Sequence, residues 1–180
     1  MRHPLMSVPL SSRKSLFWFL FLFTLGVMVS INLVSMPLIT PAAPYGIVSY
    51  ELAGTPEKSQ EILDSWDETA QMHAAFSLGF DYLYMVLYST TIALACIWGA
   101  ALLQNHGWSG AWLGLMLAWG QWLAAIFDGT ENLALSLILF GGPAAPWPQV
   151  AQVAAIIKFG IIFFGLIFSF FSLIVRFWKR

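Results

Sequence analysis

Four long apolar stretches alternate with shorter polar connections along the chain. Each stretch exceeds the roughly 20 residues that an α-helix needs to cross the hydrocarbon core of a membrane. The predicted spans are residues 15–36, 73–103, 111–140 and 149–175. The pattern therefore predicts an all-α integral membrane protein, a four-helix transmembrane bundle that forms a single domain over residues 1–180.

The one long connection, residues 37–72, carries its own helix signals. Thr55 followed by Pro56 is typical of a helix start, because the threonine side chain caps the first turn and proline fits its first position. A helix from 56 to about 66 would present one apolar face, formed by Ile62, Leu63 and Trp66. We therefore expect a short helix that lies as a cap over the ends of the spans. Residues 45–54, which precede it, fit either an extended segment or another short helix.

Composition and charge place this chain in a membrane and suggest its orientation. Hydrophobic residues make up 59% and charged residues 9%, with a mean hydropathy of +0.75, whereas soluble domains are roughly 25% charged. Basic residues flank the first and last spans, and six of the nine acids fall in the long loop. The positive-inside rule therefore predicts cytoplasmic N and C termini and an acidic loop, with its short helix, on the outer side. The charge pattern does not favour a nucleic-acid partner, and the single Cys96 leaves no disulfide framework.

Ionisable residues also occur inside the predicted spans, where a charge costs a few kcal/mol and is usually paired or functional. Asp128, Glu131 and Asn132 share one face of span three, since they are three and four residues apart. At about 1.5 Å per residue, the intramembrane charges of spans two, three and four all lie about 12 to 18 Å from the outer ends of their helices. We therefore predict one polar, ligand-binding cluster in the outer half of the bundle, formed by Asp81, Asp128, Glu131, Asn132 and Lys158.

Six more side chains are secondary candidates for this cluster. They are Glu51, His73, Tyr84, Tyr88, Gln121 and Gln152. Glu51 has the most apolar neighbours of the loop acids, so we predict that it reaches down to the cluster, although a solvated glutamate is the commoner outcome. His73 could act as a ligand or proton relay, but a single histidine at a membrane interface more often has only a packing role.

Two interpretations of the cluster remain open from the sequence. In the first, Lys158 pairs with one or two of the acids and the network sets the register of the helices. In the second, the excess of acid leaves room for a proton, a cation or a polar headgroup that enters from the outer side. Intramembrane ionisable residues are compatible with both roles.

Enzyme and cofactor signatures are weak. The sequence has no GxSxG, HExxH, P-loop or GxGxxG motif. His73, Ser77 and Asp81 recur at four-residue steps and supply the residue types of a catalytic triad, but no oxyanion donor is evident. We expect no cofactor and no metal site, because the histidines do not fall at one bundle level and Lys158 would oppose a cation among the acids.

Three motifs carry a family resemblance: Glu51-Leu-Ala-Gly-Thr55, Phe80-Asp-Tyr-Leu-Tyr84 and Phe127-Asp-Gly-Thr-Glu-Asn132. They resemble motifs of small four-span bacterial integral membrane proteins catalogued as hypothetical. The resemblance covers most of the chain and implies the same architecture, with no known activity. A bacterial inner membrane is accordingly the expected location.

The sequence leads to one functional hypothesis with two alternatives. The hypothesis is a non-enzymatic accessory or binding subunit in the lipid bilayer, whose cluster engages a polar ligand, a lipid headgroup or another membrane protein. The first alternative is a small proton- or cation-coupled transporter, and the second is a small lipid-modifying membrane enzyme.

Overall fold

The computed structural model describes residues 3–178, and in this part of the chain every regular element is helical. Two short 3-10 helices, Pro4–Ser7 and Met36–Leu38, accompany the α-helices. The α-helices are α1 (Leu10–Val34), α2 (Ile47–Glu51), α3 (Pro56–Asp64), α4 (Glu68–Asn105), α5 (Ala111–Gly141) and α6 (Trp147–Trp178). Helices α1, α4, α5 and α6 are each long and apolar enough to cross a membrane. The predicted all-α class with four membrane-spanning helices is thus confirmed.

Two helix starts differ from the prediction for identifiable reasons. Helix α1 begins at Leu10 instead of residue 15, because Ser12 and Arg13 donate backbone hydrogen bonds to the Pro9 carbonyl and extend the helix into the polar lead. Helix α4 begins at residue 68 instead of 73, where Asp67 Oδ1 accepts a hydrogen bond from the Ala70 amide at 2.7 Å. Such a cap satisfies a free amide at the helix start. In both helices, polar residues precede the apolar part.

The short helix in the long connection is present as predicted. Thr55 Oγ1 accepts a hydrogen bond from the Lys58 amide at 3.2 Å, and Pro56 opens helix α3. The predicted apolar face is buried, and most of the charged residues of this helix are exposed. The buried residues are Ile62, Leu63 and Trp66, and the exposed acids are Glu57, Glu61 and Asp64. The preceding stretch, for which the sequence left two alternatives, contains the five-residue helix α2.

The packing contacts divide the chain into two compact units. Unit 1 consists of Met1–Thr24, Val86–Ala125 and Phe159–Arg180, and unit 2 of Leu25–Met85 and Ile126–Lys158. The buried core of unit 1 consists of Ala93, Cys96, Ile97, Leu103, Ala118, Phe168 and Val175. Small residues allow close packing in this core, as expected where membrane helices approach each other without a hydrophobic driving force.

Unit 2 packs the two loop helices against the ends of its long helices. Tyr50, in α2, is 1% exposed and donates a hydrogen bond from its hydroxyl to the Leu135 carbonyl of α5. Trp66 Nε1 donates a hydrogen bond to the Leu38 carbonyl at 3.0 Å. Ile62 and Ile138 belong to the same buried core. Apolar burial and these two hydrogen bonds together hold α2, and with it the neighbouring Glu51, in place.

The surfaces of the long helices show which groups meet lipid. Small residues of the long helices are buried, including Ala74, Ala118, Ala151 and Ala155. Large side chains between them point outward: Phe163, Phe164 and Phe170 are 59%, 60% and 64% exposed. Exposed aromatic and aliphatic side chains on helices of this length belong in hydrocarbon. This is an integral membrane protein whose helices contact lipid.

The close packing of unit 1 can be tested with two glycine substitutions. A Cβ atom on Gly114 would lie 2.6 Å from the Phe168 ring and 2.8 Å from the Cys96 carbonyl oxygen, whereas a Cβ on Gly160 would meet nothing within 4 Å. Gly114→Ala should therefore lower the free energy of unfolding by about 1 to 3 kcal/mol through overpacking. Gly160→Ala should leave it unchanged or raise it by up to about 1 kcal/mol, because alanine favours the helix.

Denaturation in mixed detergent micelles would measure both effects against the unsubstituted protein. The two substitutions add the same methyl group inside a helix, so their difference reports the contact alone. Equal stability of the two variants would contradict the packing around Gly114.

Candidate functional site

The ammonium group of Lys158 lies at the centre of a buried polar cluster in unit 2. Its Nζ donates hydrogen bonds to Asp128 Oδ1 at 2.7 Å and to Glu131 Oε1 at 2.8 Å, and it lies 3.8 Å from Glu51 Oε2. Lys158 is 5% exposed, Asp128 2% and Glu131 0%. Because ion pairs removed from water interact strongly but cost much solvation energy, these charges depend on one another.

Helix periodicity explains why α5 supplies two carboxylates to one lysine. Asp128 and Glu131 are three residues apart, so their side chains project from the same side of the helix. Asn132, one residue further, uses its Nδ2 to donate a hydrogen bond to Asp81 Oδ2 of α4 at 2.7 Å. Helix α5 therefore links the lysine of α6 to the aspartate of α4.

Glu51 reaches the cluster from α2, outside the candidate spans. It is the last residue of that helix and is 8% exposed. Its neighbour Tyr50 is anchored on α5, and Gln152 Nε2 donates a hydrogen bond to the Leu52 carbonyl at 3.0 Å. Gln152 thus holds the chain that carries Glu51, and this backbone contact is the role that the structure shows for it. We refer to Glu51, Asp81, Asp128, Glu131, Asn132 and Lys158 as the acid–lysine cluster.

The cluster holds four carboxyl groups and one ammonium group, so full ionisation would leave an excess of negative charge. The carboxyl groups of Glu51 and Glu131 both lie beside the Lys158 ammonium, with Glu51 Oε2 at 3.8 Å and Glu131 Oε1 at 2.8 Å from Nζ. The Oε2 atoms of both residues are buried and receive no hydrogen bond from the described residues. Two ionised carboxylates in contact repel, whereas a proton on either one makes a donor for the other. The arrangement is therefore suited to hold a proton between Glu51 and Glu131.

Burial also changes the acidity of Glu51 itself. Loss of solvation raises the pKa of Glu51 from its ordinary 4.5 to about 7, and Asp81 and Asp128 add repulsion in the same direction. The Lys158 ammonium and the contact with Glu131 oppose the rise in this pKa. A carboxyl with a pKa near 7 exchanges its proton in the physiological range.

Other predicted site residues lie in different surroundings. Tyr84 is half-buried on α4, three residues from Asp81. Tyr88 and Gln121 belong to unit 1, where Gln121 Nε2 donates a hydrogen bond to the Ile161 carbonyl at 3.1 Å. Gln121 is fully buried, and its amide serves helix packing.

The hydrogen bonds of Ser77 and Asp81 do not match the catalytic triad that their spacing with His73 suggested. Ser77 Oγ lies 2.9 Å from Ser35 Oγ, and Asp81 accepts its hydrogen bond from Asn132. His73 is half-buried on α4. Among the described residues, no three His, Cys, Asp or Glu side chains are arranged as metal ligands. The centre of the four acids is occupied by the Lys158 ammonium instead.

Sequence reasoning did not identify Tyr50 as part of the site's support. Its hydroxyl donates a hydrogen bond to the Leu135 carbonyl, and its ring centroid lies 5.2 Å from that of Trp66. These contacts hold α2, whose last residue is Glu51, in place. The available signal was an aromatic residue adjacent to an unusually placed acid within the Tyr50-Glu51 pair. Only the fold shows that this tyrosine points into unit 2.

The dependence of the cluster on its single cation gives a direct test. Lys158→Met would leave Asp128 and Glu131 buried without their donor, and we expect the free energy of unfolding to fall by about 3 to 5 kcal/mol. Lys58→Met is the matched control, because Lys58 makes an exposed pair with Glu61 at 2.9 Å, and such pairs contribute less than about 1 kcal/mol. Denaturation in mixed micelles measures both; similar losses would argue against a lysine-centred network.

Comparison of the chain with protein-family models, with curated proteins and with solved structures finds no match. The chemistry of the cluster is therefore inferred from the residues themselves: four carboxyl groups, one ammonium group and two buried oxygen atoms that receive no hydrogen bond from the part of the chain that the structure describes.

Proposed function

We propose that this chain is a non-enzymatic membrane protein, an accessory or binding subunit, whose acid–lysine cluster reversibly binds a proton between Glu51 and Glu131. The observation that carries this proposal is the pair of carboxyl groups, those of Glu51 and Glu131, that lie beside the single Lys158 ammonium, each with a buried Oε2 that receives no hydrogen bond from the described residues. A proton is the smallest ligand that removes both the repulsion and the missing hydrogen bond.

The balance of charge supports a proton more than a polar ligand of larger size. Lys158 already satisfies one oxygen of Asp128 and one of Glu131, and Asn132 satisfies one oxygen of Asp81. These contacts draw the groups together around the ammonium. A buried site that is closed by its own side chains in this way favours a ligand that adds almost no volume.

The charge pattern supports an orientation for this site. Arg13 and Lys14 precede the apolar part of α1, Arg176 lies near the end of α6, and Arg2, Lys179 and Arg180 lie outside the described residues. With both termini in the cytoplasm, α2 and α3 are on the outer side, and Glu51 connects the cluster to that side. We place the protein in a bacterial inner membrane on the resemblance of its motifs alone.

A proton-coupled transporter is a second candidate, and the position of Glu51 favours it. Glu51 comes from a helix outside the candidate spans, whereas its partners lie within them. Asp81, on the other arm of the cluster, is less buried than Asp128 or Glu131. An acid at each edge of a buried network could pass a proton along it.

Proton binding predicts a pH dependence with a defined sign. Since the folded-state pKa of Glu51 is about 7 and its ordinary value is 4.5, the protonated form is favoured by folding. Protonation of Glu51 therefore stabilises the folded protein. This stabilisation is fully present at a pH below the ordinary pKa of 4.5 and is lost as the pH rises through about 7. The groups that face Glu51 are Lys158 of α6, Asp81 of α4, and Asp128 and Glu131 of α5.

Infrared difference spectra between about pH 6 and about pH 9 should therefore show loss of a protonated-carboxyl band, since exposed acids are almost fully ionised throughout that range. Glu51→Gln should reduce the amplitude of this loss and weaken the accompanying fall in unfolding temperature. Glu57→Gln, the same change at an exposed loop acid, should leave both unchanged. A wild-type spectrum without such a band, or equal amplitudes in both variants, would contradict proton binding at Glu51.

Flux measurements separate a proton-binding subunit from a transporter. In proteoliposomes with an imposed pH gradient, a transporter should move protons faster than protein-free liposomes, and Asp128→Asn should abolish the difference because it removes a central acid of the network. The subunit function predicts that the wild type and Asp128→Asn both match the protein-free rate. Flux above the protein-free rate that is equally fast in the wild type and Asp128→Asn would contradict a route through the cluster.

A further inference from the structure

Charged residues are divided unequally between the two units. All nine Asp and Glu residues lie between Glu51 and Glu131, at positions that belong to unit 2. Unit 1 contains no acidic side chain, but it has six of the eight basic residues: Arg2, Arg13, Lys14, Arg176, Lys179 and Arg180. The basic charge of unit 1 therefore has no acidic partner within the unit. In a membrane protein, anionic lipids are an available source of counter-charge.

A groove in unit 1 combines two of these cations with an apolar wall. Helices α1 and α4 line it, and its volume is about 270 Å³. Arg13, Lys14 and Asn105 provide the polar end, and the wall consists of Phe17, Leu94, Ile97, Trp98, Ala101 and Leu102. The groove thus has one basic end followed by aromatic and aliphatic surface, which is the order of groups along a phospholipid.

The position of the groove along its helices fits the level of lipid headgroups. Arg13 and Lys14 lie near the first residue of the candidate span Ser11–Val34, and Asn105 is the last residue of the candidate span Glu68–Asn105. From Asn105 to Leu94 the wall extends about 16 Å along α4, at about 1.5 Å per residue. The basic end therefore lies where α1 begins and α4 ends, and the apolar wall continues along the hydrocarbon-spanning part of the helices.

The polar end is prepared to receive an anion. Arg13 Nε donates a hydrogen bond to the Val8 carbonyl at 2.7 Å, and its Nη2 donates one to the Met6 carbonyl at 2.8 Å. These bonds hold the guanidinium in place while other N–H groups remain to face a ligand. Lys14 is exposed, and the ion pairs of the described residues involve only Lys58 and Lys158.

The wall of the groove is also held in place. The Phe17 and Trp98 rings meet edge to face, with centroids 5.8 Å apart, an arrangement that aromatic pairs favour. Such a wall contacts an acyl chain without rearrangement. A free phosphate ion would use the basic end but leave this apolar surface uncovered.

We propose that this groove binds one anionic phospholipid, with the phosphate at Arg13 and Lys14 and an acyl chain along Phe17, Ile97 and Trp98. Guanidinium and ammonium groups are the usual protein partners of phosphate, and basic pockets between membrane helices bind anionic headgroups on the cytoplasmic side. This site is separate from the acid–lysine cluster, since all of its residues belong to unit 1.

Native mass spectrometry of the full chain in a nonionic detergent tests the proposal, with phosphatidylglycerol and phosphatidylcholine of identical acyl chains as probes. The wild type should retain one phosphatidylglycerol in preference to phosphatidylcholine. Lys14→Gln should weaken phosphatidylglycerol binding roughly fivefold, the effect of one basic residue near an anionic surface. Lys58→Gln removes the same charge in unit 2 and should leave binding unchanged.

A second variant tests the apolar wall without changing any charge. Ala101 is exposed and lines the groove, so Ala101→Trp should fill it and remove the preference for phosphatidylglycerol. The unfolding temperatures of lipid-free Lys14→Gln and Ala101→Trp should match the wild type, which shows that the fold is intact.

Three results would overturn the proposal: equal retention of the two lipids by the wild type, no effect of Lys14→Gln, or full displacement of the lipid by millimolar inorganic phosphate. The last would indicate a site for free anions. None of these results bears on proton binding by the cluster, which is measured at Glu51.

Discussion

The contact between the Lys158 ammonium and the buried carboxylates is the interaction on which unit 2 depends. Its hydrogen bonds to Asp128 and Glu131 are 2.7 and 2.8 Å long, with all three groups nearly inaccessible to water. A buried charge is tolerated only when opposite charges and hydrogen bonds replace its solvation. The register of α5 against α6 in unit 2 is therefore specified by these charges, because a helix rotation would leave the acids or the lysine without partners.

Apolar packing and the ionic contacts of unit 2 support each other. The burial of Tyr50, Ile62 and Trp66 holds the loop helices against the ends of the long helices. That packing carries Glu51 into the cluster, where burial raises its pKa to about 7. A solvated glutamate would keep its ordinary pKa and would already be ionised at neutral pH. The hydrophobic core of the loop is thus the physical cause of the unusual acidity.

The two units use polar residues in opposite ways. Unit 2 gathers carboxyl groups around one ammonium, so that acidic groups outnumber basic ones in its cluster. Unit 1 has basic side chains without acidic ones, and its groove combines Arg13 and Lys14 with an apolar wall. Both arrangements follow from the low availability of water. A charge in or near the hydrocarbon needs an opposite charge from the protein or from a lipid, or it is neutralised by a proton.

Local properties of the sequence were sufficient to predict most of the fold. Apolar stretches of sufficient length identified the four long helices, since a membrane-spanning backbone must satisfy its own hydrogen bonds. Thr55 and Pro56 identified the start of α3. The ends of the helices were less predictable: α4 begins with polar residues that Asp67 caps, and hydropathy does not register a cap.

The same distinction applies to the acid–lysine cluster. By itself, the sequence determined that Asp128, Glu131 and Asn132 share a face, because three- and four-residue spacing is a local property of any α-helix. Only the tertiary structure decided that Asn132 binds Asp81 and that Glu51 meets Lys158. Those contacts join residues far apart in the chain, and they depend on how helices rotate and pack, which is set by the shapes of side chains on several helices at once.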